Sequence, residues 1–279
     1  MAEFAKGYPE LWKDEHGDAK PGYEGVLNYR VAALPEILNQ PDKDTGKGAY
    51  KTILSGKWHL GLEKPYLPSD RGFERSWGLL PGAGNHYKYN PDVALGVPAT
   101  KTLWSDNGLL FTIDDLPDDF YSTDAFTDKL IEYLDEEDGN EGANDRPFFA
   151  MLTLTAPHWP LQAPRHLIEK YKGKYDDGPA ALRSERLKEL HRQGLISDAA
   201  YERAHPIIDT YSTGGWEKLS AEEKKRSSRT MEVYAAMVES IDQNVGRVLR
   251  HLEVKEQLDN TFVVFMSDNG AEGALLEGE

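Results

Sequence analysis

Three runs of strand length, each closing on polar residues, limit the folds open to this chain more than any other feature. Residues 50–54 (Y-K-T-I-L) form a short β-rich run that Gly56 ends. Residues 147–155 (P-F-F-A-M-L-T-L-T) are almost continuously apolar, and so is the run 260–266 that holds T-F-V-V-F-M. Strands apolar at successive positions are buried on both faces, as central strands of parallel sheets are. Helical stretches separate the runs. Pro35 opens a short one at 35–39, because a first helical position does not need its N–H. At 124–136, Ala125 or Phe126, Leu130, Ile131 and Leu134 recur at helical spacing behind a cap at Ser122 or Thr123. At 221–253, Tyr234, Met237, Ile241, Val245, Val248 and Leu252 make one apolar stripe, and Ser220 with Glu223 forms a capping box. Strand and helix in alternation predict an α/β protein, a mostly parallel central sheet flanked by helices.

In open α/β sheets, ligands sit beyond the carboxyl ends of the strands. The first run ends in Lys57 and His59, which extended backbone would turn to one side. The second ends in His158, held between Pro157 and Pro160. The third ends in Asp268 and Asn269, two hard oxygen donors for Ca²⁺ or Mg²⁺. Each has a bland counterpart: a solvated lysine with a satisfied histidine, a histidine packed on Trp159, a plain Asp-Asn-Gly turn. Together they predict a rim suited to a tetrahedral oxyanion. A metal and a lysine would neutralise its oxygens, and a histidine would protonate the leaving alkoxide.

Composition removes several classes. The 279 residues carry 32 Lys plus Arg against 48 Asp plus Glu, a formal charge of −16, so nucleic acid and anionic membranes are not expected partners. There is no cysteine, which excludes disulfides, thiolate metal sites and a Cys nucleophile. No apolar run approaches the ~20 residues of a membrane span, and residues 1–10 lack the regions of a signal peptide. Neither fact assigns a compartment.

The rest is mostly scaffold. Residues 1–30 read as loop with at most one short helix, and 39–48 as a polar loop. The Gly-, Pro- and aromatic-rich tract 65–87 is long enough that packing or function must order it. Within it Arg71 can pair with a carboxylate, and His86 beside Asn85 reads as a structural hydrogen-bonding residue. β-like pieces surround Leu103 and residues 110–113, and 135–145 is an acidic turn. Helices are expected near 165–171, 184–193 and 198–204, with no chemistry visible there.

Four motifs in order resemble the sulfatase family, arylsulfatase type: G-K-W-H-L-G at 56–61, A-P-H-W-P at 156–160, Y-A-A-M-V-E-S-I-D-Q-N-V-G at 234–246 and S-D-N-G-A-E-G at 267–273. The stretch from Pro68 to Tyr87, with P-S-D-R-G-F-E and G-N-H-Y, is similar to the segment after the family's lysine-histidine motif. The resemblance is weakest at 161–220, read as a variable helical insertion. It implies an alkaline-phosphatase-like sandwich and hydrolysis of sulfate monoesters, of small molecules or of carbohydrates. Lys57 would contact the sulfate, His59 would assist release of sulfate from the covalent intermediate, and His158 would protonate the leaving alcohol. Asp268 and Asn269 would hold the family's divalent ion, usually Ca²⁺.

The sequence also departs from the family pattern. The nucleophile there is a formylglycine made from Cys or Ser in C/S-x-P-x-R, and that motif is absent. The paired aspartates of the metal site and the second active-site lysine are not found either. Residues 1–279 are therefore expected to be the middle of a sulfatase catalytic domain, with an unpaired sheet neighbour and negligible turnover. A phosphoester or phosphonate hydrolase of the same superfamily and a non-catalytic remnant are the alternatives.

Overall fold

The computed structural model describes residues 24–41, 49–88, 103–136, 146–203 and 215–270, with isolated positions among 13–22, at 43 and at 93–98. The acidic turn from residue 137 on, the motif beyond Gly270 and most of residues 1–23 lie outside that set. The chain divides into two compact units, Met1–Gln162 with Ser240–Leu252, and Ala163–Glu239 with Glu253–Glu279.

The first unit is built on a sheet. Its strands are β1 (Lys51–Gly56), β2 (Arg75–Leu79), β5 (Leu103–Asp106), β6 (Leu109–Thr112) and β7 (Phe148–Thr153), in the order β6-β5-β2-β1-β7; the short β3 (Val93–Ala94) and β4 (Val97–Pro98) pair separately. β1 runs parallel to β2 and to β7, whereas β2–β5 and β5–β6 are antiparallel. The expected α/β sheet is thus present, mixed overall and parallel around β1.

Every residue of β1 is buried. Adjacent side chains point to opposite faces, and both faces meet a core: Leu54 joins Trp58, Leu67, Phe73 and Leu80, while Ile53 joins Leu130 and Tyr133. Burial of each such side chain contributes about 1.5–3 kcal/mol. The strand's polar groups are all satisfied. Lys51 Nζ donates to the Glu136 carbonyl at 2.7 Å, Thr52 Oγ1 to that of Gly72 at 2.7 Å, and Ser55 Oγ to that of Phe126 at 2.7 Å. A third cluster (Leu79, Trp104, Ile113, Leu116, Phe120, Phe126) fills the β2–β5 side.

Helix α1 (Leu34–Leu38) precedes β1 in the chain, and helix α2 (Ser122–Asp135), between β6 and β7, packs on β1, β2 and β7. The expected caps of α2 are not caps: the helix begins at Ser122, with Tyr121 at the N-cap, and no side chain caps it. The Ser122 hydroxyl is engaged elsewhere, by a buried histidine near the end of β7. Arg71 is fully buried and its guanidinium closes off the first loops. It bonds Glu36 Oε1 at 2.8 Å and the Leu27, Asn28 and Val31 carbonyls, and it stacks over Tyr29. It is a structural clamp.

The second unit is helical: α3 (Arg165–Lys170), α4 (Gly178–Arg192), α5 (Asp198–Glu202) and most of α6 (Ala221–Val254). The capping box forms as read. The Ser220 N–H donates to Glu223 Oε2 at 2.7 Å, and the Glu223 N–H to Ser220 Oγ at 3.3 Å. Residues 240–252 of α6 belong to the first unit, where Val248 packs on the Ile53 cluster and Asn244 Nδ2 donates to Asp124 Oδ1 at 2.7 Å. None of the described helices is long and apolar enough to cross a membrane.

Two strand expectations are corrected. β7 is not a two-faced central strand: among the described residues it ends the sheet order and pairs with β1 alone, and Met151 is exposed. The run 260–266 forms no strand. A 3₁₀ turn covers Leu258–Asn260, and the residues beyond it are unpaired, Phe262 being 93% exposed. Apolarity makes a run competent for a sheet, but a strand also needs a hydrogen-bonded partner, and among the described residues this run pairs with none.

Candidate functional site

The geometry of β1's carboxyl end starts from two glycines. Gly56 sits at φ +134°, where a Cβ would come within 2.1 Å of the Thr153 carbonyl; a Cβ on Gly78 would lie 1.7 Å from the Gly56 carbonyl. Only hydrogens fit at this crossing, so the chain leaving β1 stays wedged between its neighbours. Lys57 is held by β7: its N–H donates to the Thr153 carbonyl at 2.7 Å, and Thr153 Oγ1 donates to the Lys57 carbonyl at 2.8 Å. The next two residues are held on the β2 side, the Trp58 N–H by Leu79 O at 2.8 Å and the His59 N–H by Leu80 O at 2.9 Å. Trp58 is buried, with its indole N–H on the Tyr66 carbonyl at 2.8 Å.

The backbone on either side of Trp58 therefore presents Lys57, half-buried, and His59, exposed. Their shared side cannot be argued from extended backbone, since His59 adopts φ +64°. That left-handed conformation costs a non-glycine residue about 1–3 kcal/mol, and such residues cluster at functional sites. The ring lies against Gly82, where a Cβ would sit 2.4 Å from Nε2.

His158 leaves the neighbouring strand at the same end of the sheet, because β1 and β7 are parallel with Gly56 opposite Thr153. Its N–H donates to the Thr155 carbonyl at 2.9 Å. Nδ1 lies 2.7 Å from the Trp159 carbonyl, and a carbonyl only accepts, so Nδ1 carries a hydrogen. Nε2 is then the nitrogen that exchanges a proton with a ligand. The packed reading of this histidine holds as well, its ring centroid lying 5.2 Å from that of Trp159.

Behind the loop is a residue whose reach the sequence did not reveal. His86 is fully buried. Its Nδ1 lies 2.9 Å from Ser122 Oγ and its Nε2 lies 3.1 Å from the His158 carbonyl. Burial, more than the neighbouring His158, holds its pKa below the usual imidazole value. A structural hydrogen bond was expected of His86. Its partners could not be read, because they come from positions 36 and 72 residues away.

Asp268 and Asn269 are placed differently. They lie in the second unit, exposed, on the unpaired segment, with Asn269 Nδ2 donating to the Gly270 carbonyl at 2.8 Å. No group of three or more His, Cys, Asp or Glu that could hold a metal occurs among the described residues. Two oxygens fall well short of the roughly six to eight that Ca²⁺ takes. Asp268 and Asn269 by themselves supply only part of a divalent-metal site.

The sheet thus brings Lys57, His59 and His158 to the same end of the parallel strands β1 and β7, with His86 buried behind them. The chain belongs to the sulfatase family, whose model matches residues 27–276. It is 46% identical to an uncharacterized sulfatase of Schizosaccharomyces pombe over 99% of this chain and 47% of the relative. It is 34% identical to the arylsulfatase of Klebsiella aerogenes over 96% of this chain and 53% of that enzyme. The N-acetylglucosamine-6-O-sulfatase of Bacteroides thetaiotaomicron matches at 27% over 92% of this chain and 47% of the relative. The chain spans about half the length of these relatives.

Proposed function

We propose that this chain carries the anion-binding and proton-donating part of a sulfatase site acting on sulfate monoesters, aryl or carbohydrate. The observation that carries the proposal is the parallel β1–β7 register, with Gly56 opposite Thr153, from which Lys57, His59 and His158 emerge at one end of the sheet. The relatives named as an arylsulfatase and a carbohydrate 6-O-sulfatase support the substrate class.

In this reading the Lys57 ammonium neutralises sulfate oxygens and holds the ester in place. His158, anchored through Nδ1, would deliver a proton from Nε2 to the alcohol oxygen as a nucleophile displaced it from sulfur. His59 would assist the release of sulfate only where a nucleophile had first taken it up. The formylglycine of the family needs a Cys or Ser in C/S-x-P-x-R, which this sequence does not contain, and the described residues do not build a metal site. Positioning and charge stabilisation remain, so this chain binds sulfate esters and turns them over negligibly.

Titration calorimetry with p-nitrophenyl sulfate tests the binding. Lys57→Ala is expected to weaken it about tenfold, the worth of one charge-assisted hydrogen bond, and His158→Ala to weaken it too. Unchanged affinity in Lys57→Ala overturns the proposal. Tighter binding of p-nitrophenyl phosphate than of the sulfate would move the substrate class to phosphoesters. Release of p-nitrophenol by the pure 279-residue chain would refute the inactivity.

A further inference from the structure

The ring of His86 is enclosed, and the chemistry of its neighbours fixes which ring nitrogen bears the hydrogen in the neutral form. The His158 carbonyl, 3.1 Å from Nε2, can only accept, so Nε2 bears the hydrogen. In a neutral ring Nδ1 then carries the lone pair and accepts from the Ser122 hydroxyl at 2.9 Å. Thr155 Oγ1 lies 3.3 Å from both Nδ1 and Ser122 Oγ and completes the cluster. The main chain at 86 is fixed independently. Its N–H donates to Gln162 Oε1 at 2.7 Å and its carbonyl accepts the Ser122 N–H at 2.8 Å, while Gln162 Nε2 donates to Asn85 Oδ1 at 3.0 Å.

The loop bearing His158 is therefore tied to this segment at three successive points: the Thr155 hydroxyl, the His158 carbonyl and the Gln162 amide. Of these, the bond to the His158 carbonyl is the one made at the residue whose ring would act. Thr155 and Ala156 are buried, whereas His158 is only half-buried, so without this bond the loop's middle has less to hold it.

We propose that His86 is a positioning residue for His158, a neutral Nε2-protonated imidazole that fixes the His158 carbonyl and so aims the His158 ring. This rests on the reading of His158 as the proton donor. A histidine that merely filled the core would be indifferent to which ring nitrogen met which neighbour, and there the two roles part.

The test is NMR of protein labelled with ¹⁵N-histidine, joined to p-nitrophenyl sulfate binding. In the native chain His86 is expected as the Nε2–H tautomer, remaining neutral at a pH where exposed histidines are half-charged. In His86→Gln the amide nitrogen still reaches the His158 carbonyl, so the His158 ring signals stay native-like and affinity is kept. In His86→Asn the side chain is one methylene shorter; the His158 signals shift and affinity falls about fivefold, the worth of one neutral hydrogen bond. An Nδ1–H or charged His86, or native His158 signals in a folded His86→Asn, overturns the proposal. If His86→Asn does not fold, the native tautomer and the His86→Gln spectrum decide. Should His158→Ala bind p-nitrophenyl sulfate as tightly as the native chain, the functional reading of His158 fails, while the His158 signals in His86→Asn still report whether the clamp exists.

Discussion

β1 and residues 261–266 are six-residue stretches with inverted relations between composition and burial. β1 reads K-T-I-L-S-G, half of it polar, and is buried throughout. The other reads T-F-V-V-F-M and exposes Phe262, Val263, Val264, Phe265 and Met266 by 50% or more. Hydrophobicity would order them the other way. What separates them is neighbours: β1 has a hydrogen-bonded strand on each side and a carbonyl waiting for each polar side chain, whereas 261–266 has no strand partner among the described residues. Burial in a sheet comes from pairing, and side-chain polarity is tolerated wherever a partner is supplied. The same rule separates the candidate site residues. Lys57, His59 and His158 take their placement from paired strands, and Asp268 and Asn269 sit on a segment the sheet does not carry.

Spoiling the pairing at β1's end should cost the most. Gly78→Ala puts a methyl 1.7 Å from the Gly56 carbonyl, against backbone that cannot rotate away as a side chain would. Parting β1 from β2 at that point also loosens the Trp58 and His59 hydrogen bonds to Leu79 and Leu80. The expected loss is about 3 kcal/mol or more of unfolding free energy, read from the urea midpoint, together with loss of p-nitrophenyl sulfate binding in whatever protein remains folded. A loss under about 1 kcal/mol would mean that the glycine crossing is not what places Lys57 and His59.

How much of this was legible beforehand divides along the same line. Local signals read true: Pro35 falls in the first turn of α1, one position after Leu34 opens it, Ser220 with Glu223 caps α6, and Gly56 ends β1. Strand competence was legible at 51–56, 148–153 and the pieces near 103 and 110, because β-rich composition marks it. Partner identity was not, because register is set by residues far apart in sequence. The unpaired state of 261–266, the edge position of β7 and the reach of His86 all fall under that heading. Ser122 shows the limit most directly. As a residue before an apolar periodic stretch it reads as a helix cap, and nothing local says that a histidine 36 positions earlier takes its hydroxyl instead.

A smaller effect comes from proton linkage at His86, which probes the well-paired region without a steric insult. Its folded pKa lies below the ordinary 6.5 because of burial, with the charge of His158 adding to that and the bond to the His158 carbonyl opposing it. The other titratable ring facing it is Tyr121, itself pushed up by burial. A folded-state pKa that is depressed means that the unfolded chain binds the proton more readily. The contribution to stability is complete above 6.5, erodes as pH falls through that value, and is gone below the folded-state pKa. Urea unfolding between pH 8 and roughly pH 5 should therefore show a steeper acid loss in the native chain than in His86→Gln. Equal slopes would mean that His86 titrates normally and is not sealed in.

The smallest expected effect on stability belongs to the other member of the pair. Phe265 is 74% exposed on the unpaired segment, so Phe265→Ser removes apolar surface that folding has not hidden. Its unfolding free energy should change by no more than about 0.5 kcal/mol, against several for a comparable truncation in the core. Its effect on association should run the other way. A run of β-branched and aromatic residues with no charge and no proline is the composition that pairs chain to chain, and among the described residues β7 leaves one strand edge open in each molecule. Light scattering at rising protein concentration should show less self-association in Phe265→Ser than in the native chain. A large destabilisation in place of that would show Phe265 to be packed in solution, and the contrast between the two stretches would then collapse into two buried strands.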